Sequence, residues 1–188
     1  MKKIRRIASI ACALLMALAV SGCAGEGETV EKWTEGEGPV AEASFVARMA
    51  GEHGVTNTLQ WNVGGTDLGF PIYNSKNDTM YYAFGDTFGD PGQTTMWRSN
   101  TLAMSRDFDF SDGIAIEDYY KGPTGIAKAV IDGYHNLNAG YEATKIPTGG
   151  IEVDGNLYLF YMSIRQWDGW IVNYNGAVKS ADHGQAWQ

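Results

Sequence analysis

Two aspartates carry the residue type and setting that suit chemistry in this chain. Asp67 lies in Gly64-Gly65-Thr66-Asp67-Leu68-Gly69, and Asp86 lies in Phe84-Gly85-Asp86-Thr87-Phe88. Each flanks a short run with strand character, Phe70–Tyr73 and Met80–Phe84, and the polar turn Asn74–Asp78 joins the two runs into a hairpin. Carboxylates delivered by the ends of one hairpin match what glycosidic-bond hydrolysis requires. One carboxyl protonates the leaving oxygen, while a second, ionised one attacks or activates water. Aspartate beside glycine is also ordinary turn chemistry, so on the residues alone both readings stand. Strict alternation along Tyr82-Ala83-Phe84-Gly85-Asp86 places Asp86 on the face of Tyr82 and Phe84. Such an aromatic wall would raise a carboxyl pKa and stack a sugar.

Near this pair in sequence, Trp97-Arg98-Ser99-Asn100 offers an indole for stacking and, in Arg98 and Asn100, groups that bind sugar hydroxyls or orient a carboxylate. Trp97, Arg98 and Asn100 are therefore the expected substrate contacts, with a solvated turn arginine as the competing reading of Arg98. Glu152 is a candidate third acid, but it sits in a tight hairpin; Asp90 in Gly89-Asp90-Pro91-Gly92 reads as a turn residue. His53, His135 and His183 have no metal-ligand spacing, and Asp107, Asp109 and Asp112 lack the closing glutamate of a calcium loop. No metal site and no cofactor are expected. Gly-x-Ser-x-Gly, P-loop and Rossmann fingerprints are missing from the sequence.

Around these residues the chain divides into three parts. Lys2, Lys3, Arg5 and Arg6 precede the apolar run Ile7–Val20, and small residues lead to Cys23, which describes a secretory signal over residues 1–22. Val20-Ser21-Gly22-Cys23 resembles the bacterial lipobox, which implies cleavage before Cys23 and lipid on its sulfur. Export to the cell envelope and a membrane anchor through that lipid follow. Cys12 leaves with the signal, so no thiol pair remains for a disulfide. The formal charge of −8 loses four positive charges with residues 1–22 and becomes −12. That balance argues against nucleic acid and suits a neutral polysaccharide. Residues 23–40 are rich in Gly and Glu and read as a solvated tether, leaving 41–188 as the folded domain, expected to be a monomer.

Within that domain only Ala41–Ala50 suggests a helix, with Phe45, Val46 and Met49 on one face. Short apolar-aromatic runs follow between Gly, Asn and Asp clusters: Thr58–Val63, the two hairpin runs, Thr101–Ser105, Gly150–Val153, Asn156–Ile164, Trp170–Val172 and Asn175–Ser180. The 24 glycines fit the same all-β reading. An internal repeat narrows it. Met80–Asp86 aligns with Leu157–Ser163 at an offset of 77, and Leu102–Asp107 with Ala177–Asp182 at an offset of 75. This self-similarity points to β-propeller blades. In the second copy Ser163 stands where the first has Asp86, and Gly149 stands where it has Asp67, so the repeat itself does not demand either carboxylate. Ser180-Ala181-Asp182-His183-Gly184-Gln185-Ala186-Trp187 is an Asp-box, with Ser and Asp expected to bond nearby backbone, Gly to take a glycine-only conformation and Trp to bury beneath. Only about two blades fit where closed propellers have about 4–8, so an N-terminal fragment of a propeller is expected.

Thr66-Asp67-Leu68-Gly69, Tyr82–Phe88, Trp97–Ala103, Pro147-Thr148-Gly149-Gly150 and the Asp-box together resemble the bacterial family called domain of unknown function 4185. The resemblance covers roughly Leu59 to Trp187. It implies a five-bladed propeller, and it includes the endo-D-arabinanases of glycoside hydrolase family 183, whose two catalytic aspartates match Asp67 and Asp86 by motif. The implied substrate is a furanose polysaccharide, arabinan. The rival function is a non-catalytic glycan-binding lipoprotein. A sialidase fits less well, because Arg48, Arg98, Arg106 and Arg165 are the only arginines beyond the signal.

Overall fold

The computed structural model of the chain describes residues 44–188 apart from 137, 139 and 140. The signal segment, Cys23 and the tether lie outside the described residues. Two antiparallel sheets form the domain. The first runs in the order β1 (Gly65–Asn74), β2 (Thr79–Phe88), β3 (Thr101–Ser105) and the short β4 (Asp118–Tyr119). The second comprises β5 (Thr144–Val153), β6 (Asn156–Gln166) and β7 (Ile171–Ser180). The all-β expectation holds, with two local corrections. Ser44–Met49 is irregular rather than helical. A ten-residue segment cannot sustain a helix unless an apolar face packs, and here Phe45 is 79% exposed. Thr58–Trp61 is a single 3-10 turn, not a strand; Asn57 caps it by accepting from the Leu59 amide, and Asn62 ends it in the left-handed region.

The hairpin turns follow their sequences. Asp154 (φ 52°) and Gly155 (φ 84°) make the two-residue connection between β5 and β6, the Asp-Gly turn whose twist suits adjoining strands. The longer β1–β2 turn is held by Asn74, whose side-chain oxygen accepts from the Lys76 amide, with Asp78 in the left-handed region.

Strand register confirms the repeat. Met80 pairs with Ser105 and Leu157 with Ser180; Ala83 pairs with Leu102 and Phe160 with Ala177. Both offsets read from the sequence are thus reproduced in hydrogen-bonded partners. One detail changes. Phe70 faces Ala83 while Gly149 faces Phe160, so Gly149 is the counterpart of Phe70. The counterpart of Asp67 falls at Lys145–Ile146, opposite Met162 and Ser163.

The sheets stack in one direction. Ile72, Tyr81, Ala83 and Leu102 of the first sheet meet Leu157 and Leu159 of the second in a shared core. The equivalents of those first-sheet residues are Ile151, Tyr158, Phe160 and Ala177. They occupy the far face of the second sheet, where Ile151 and Phe160 are exposed. Leu157 corresponds to Met80 and Leu159 to Tyr82, which pack with Trp61 and Tyr119 on the other side of the first sheet. The two sheets therefore meet through unlike faces: the first packs its Ile72/Tyr81 face against the Leu157/Leu159 face of the second.

The Asp-box closes the second unit as its sequence predicts. Asp182 Oδ1 accepts from the Ser180 hydroxyl at 2.8 Å and from the amides of Gln185 and Ala186, and Ser180 Oγ accepts from the Gly184 amide at 2.8 Å. Gly184 has φ +85°, and Trp187 packs on the inter-sheet core. Tyr81 donates its hydroxyl to the His183 carbonyl, and Ser75 donates to Glu152. Both hairpin turns and the Asp-box thus share one end of the domain.

Candidate active site at the opposite end of the sheets

Asp67 and Asp86 lie at the end away from those turns, and a local irregularity joins them. From Thr66↔Thr87 to Leu68↔Phe84, β1 supplies one residue, Asp67, against two in β2, Gly85 and Asp86. Between Leu68↔Phe84 and Phe70↔Ala83 the imbalance reverses, with Gly69 as the additional residue in β1. Leu68 (φ 64°) and Gly69 (φ 112°) turn through the left-handed region to make this second shift. Gly85 leaves room for both side chains: a Cβ there would displace the Asp67 carboxylate and the Leu68 side chain.

The irregularity also changes which way Asp86 faces. Thr87 takes the Tyr82/Phe84 side, where its hydroxyl meets those of Thr66 (2.8 Å) and Thr101 (3.0 Å). Asp86 consequently points to the other side, toward β5. Its Oδ1 accepts from Trp97 Nε1 at 2.9 Å and from the Thr144 hydroxyl at 3.0 Å. The aromatic wall of Tyr82 and Phe84 expected behind Asp86 is therefore on the wrong face; alternation fails because the bulge adds a residue.

Both carboxyls are pushed above the ordinary aspartate range. For Asp86 the main cause is burial, opposed by the Trp97 and Thr144 donors and by nearby His135. For Asp67 it is again burial first, then the negative charge of Asp86, opposed by backbone hydrogen bonding at Asp86 and Asp67. Each carboxyl thus senses a different environment. Two side-chain donors stabilise the anion of Asp86, while Asp86 itself favours a proton on Asp67.

The three expected substrate contacts separate. Trp97 is beside the pair, but its indole N–H is engaged with Asp86, and its ring lies 4.8 Å from that of His135. Trp97 thus orients a carboxylate. Replacing Trp97 with phenylalanine removes that donor, so the Asp86 pKa should rise further in an NMR titration of its carboxyl carbon; an unchanged or lowered value would contradict the arrangement. Arg98 turns inward and donates to the carbonyls of Asn62 (2.7 Å) and Ala127 (3.2 Å). Asn100 is 0% exposed. Its side-chain oxygen accepts from the amides of Val130 and Ile131, both at 2.9 Å, and its nitrogen donates to the carbonyls of Ile131 and Lys145. Arg98 and Asn100 are staples of the loops rather than sugar contacts. Glu152 is at the far end, accepting from the Gly155 amide and Ser75.

Asp90 does more than turn the chain. Its carboxylate accepts from the amides and hydroxyls of both Thr94 and Thr95, which holds its pKa down at about 2. The loop it organises leads directly to Trp97. Because the folded pKa is depressed, this contribution to stability is present above the ordinary aspartate pKa and is lost as pH falls through about 2. Asp90→Ala should accelerate hydrogen exchange at the Thr94 and Thr95 amides at neutral pH, and unchanged protection there would refute the role.

His135, Thr144 and Glu142 join the site without a sequence signal that singled them out. His135 (φ 47°) places Nε2 2.9 Å from Ser99 Oγ; burial lowers its pKa, and the charges of Asp86 and Glu142 oppose that. Glu142 is buried and accepts from the hydroxyls of Ser163 (2.5 Å) and Tyr174 (3.2 Å) and from the Tyr134 amide. Ser163 is the repeat counterpart of Asp86, so a carboxylate from the preceding loop occupies this place in the second sheet. Among the described residues no three His, Cys, Asp or Glu side chains gather as a metal site.

Residues 53–188 match a family described as a domain of unknown function (DUF4185). No curated protein matches the chain.

Proposed function

The chain belongs to the DUF4185 family, and we propose that it is a glycoside hydrolase of furanose polysaccharides, arabinan in particular, working through Asp67 and Asp86. The observation that carries this reading is the bulge at Gly85–Asp86, which puts Asp67 opposite Gly85 and Asp86 across the β1–β2 pair, where the charge of Asp86 adds to burial in raising the Asp67 pKa. Aspartates serving only as turn residues would accept from local amides and remain readily ionised, as Asp90 and Asp182 do. In the proposed division of labour, Asp67 keeps the proton and delivers it to the leaving oxygen. Asp86, held as an anion by Trp97 and Thr144, is the nucleophile or the base for water.

The same proposal places the sheets as blades of a propeller. Its support is the one-directional stacking, in which the far face of the second sheet repeats the face that the first sheet buries. Export and a lipid on Cys23 complete the reading and rest on the N-terminal sequence; they would bring the enzyme to the polysaccharide of the cell envelope.

Incubation of the full-length protein with D-arabinan and with L-arabinan should release oligosaccharides from one of them. Binding without release would favour the alternative, a glycan-binding lipoprotein without the chemistry. Neither binding nor release would remove both.

A further inference from the structure

The β6–β7 turn carries two tryptophans, Trp167 and Trp170, in Gln166-Trp167-Asp168-Gly169-Trp170-Ile171. The two residues are 37% and 51% exposed, and their rings lie 5.4 Å apart, tilted by 49°. Burial does not explain two indoles at a hairpin tip, where short polar residues usually suffice. The backbone is also unusual. The Trp170 amide donates to the Trp167 carbonyl at 3.0 Å, and Trp170 has φ 50°. Glycine or asparagine normally occupies that left-handed state, and a bulky residue there is an outlier that invites a functional explanation.

The tip stands at the end of the domain that holds the aspartates. β2 and β6 both run away from the neighbouring hairpin turns, one reaching Asp86 and the other Trp167. A line of groups connects them: Thr144 donates to Asp86, Glu142 two residues earlier accepts from the Tyr174 hydroxyl, and β7 leads from Tyr174 back to Trp170. The indoles lie about 13 Å along the strand beyond Ser163, at roughly 3.3 Å per residue. Exposed Arg165, Gln166 and Asp168 flank them with hydrogen-bonding groups.

The geometry points to a second binding site at this tip: Trp167 and Trp170 form a platform for a sugar ring of the same polysaccharide, several residues from the bond that is cut. A sugar ring presents weakly positive C–H groups on one face and hydroxyls at its edge. The π face of an indole is complementary to the first, and the flanking amide, carboxylate and guanidinium suit the second. The first sheet supports the assignment by contrast. Its corresponding loop also brings an indole to this end, but Trp97 is tied to Asp86, whereas the two indole N–H groups of the second sheet make no hydrogen bond to the described residues.

This inference rests on the proposed polysaccharide reading, and the test separates the two. Binding is measured by calorimetry on the full-length protein carrying Asp86→Asn, which prevents turnover, with long arabino-oligosaccharides and with a disaccharide. Trp167→Ala and Trp170→Gly are each expected to weaken binding of the long chains by about tenfold, corresponding to the stacking energy of one ring, and to leave the disaccharide unaffected. Trp170→Gly should keep or raise the melting temperature, because glycine is at ease at φ 50°. A structural tryptophan would behave in the opposite way. Unchanged affinity for long chains, or a loss matched by a lower melting temperature, would overturn the platform. If wild type cleaves arabinan but the tryptophan variants bind normally, the platform alone fails. If wild type cleaves nothing and the variants still lose long-chain binding, the hydrolase reading fails and the platform stands.

Discussion

Asp86→Asn is expected to reduce arabinan cleavage by about a thousandfold or more, the scale of losing a group that acts in the transition state, while the fold survives intact. The isostere retains Oδ1, so Trp97 and Thr144 keep their acceptor. What it loses is the negative charge and the lone pair available to attack or to take a proton. The stability effect has a defined sign. Asp86 is raised by burial, so the folded state holds its proton more tightly than the unfolded chain does. That contribution is present below the ordinary aspartate pKa and is lost as pH rises through the raised value. Asparagine, neutral at every pH, should therefore melt no lower than wild type at pH 7 and lack this part of the pH slope. Asp67→Asn should inactivate as well, with a smaller margin of structural safety because its carboxylate lies against Gly85 and accepts from backbone. Full activity in either variant would end the two-carboxylate mechanism, and a large fall in melting temperature would reassign the residue to folding.

Asn100→Ala is expected to have the largest effect on stability. The substitution strands the buried amides of Val130 and Ile131 and removes the donor to the buried carbonyl of Ile131 and the part-buried carbonyl of Lys145. Buried polar groups left unpaired cost about 1–3 kcal/mol each. Even with partial relaxation, the sum is about 4 kcal/mol, or roughly 10 °C in melting temperature for a domain of this size. Asn100→Asp should fare little better, because it preserves the acceptors, loses the donors and buries a charge. A loss of sugar affinity with unchanged melting temperature would instead restore Asn100 to the substrate contacts.

Architecture was legible because it is written in short-range patterns. The tight hairpin at Glu152 and the Asp-box spacing depend on neighbours in sequence, the repeat at offsets of 77 and 75 matches one short run to another, and each recurs in the structure. The local context of Asp67 and Asp86 was equally visible. Their orientation was not, because alternation assumes an unbroken ladder and the bulge at Gly85–Asp86 breaks it. Arg98 and Asn100 misled for another reason: polar residues beside a candidate site suit a substrate or a buried loop equally, and the loop partners at Asn62, Ala127 and Val130–Ile131 are remote in sequence. His135 and Glu142 were invisible on the same ground, since their partners Ser99 and Ser163 come from other strands and loops. The helix expected before residue 50 came from local periodicity without a surface to bury it.

The two irregularities of the β1–β2 hairpin behave like a paired frameshift. The additional residue in β2 rotates Asp86 out of phase, and Gly69 in β1 restores the reading frame within a few residues, so Ile72 and Tyr81 still meet the core. The geometry around the two aspartates at one end of the hairpin is thereby insulated from packing at the other. Substitutions among Asp67, Leu68, Gly85 and Asp86 rewrite the site without re-addressing the side chains that hold the sheets together. The end of the hairpin that holds the two aspartates can in this way change while the sheet-to-sheet packing stays the same.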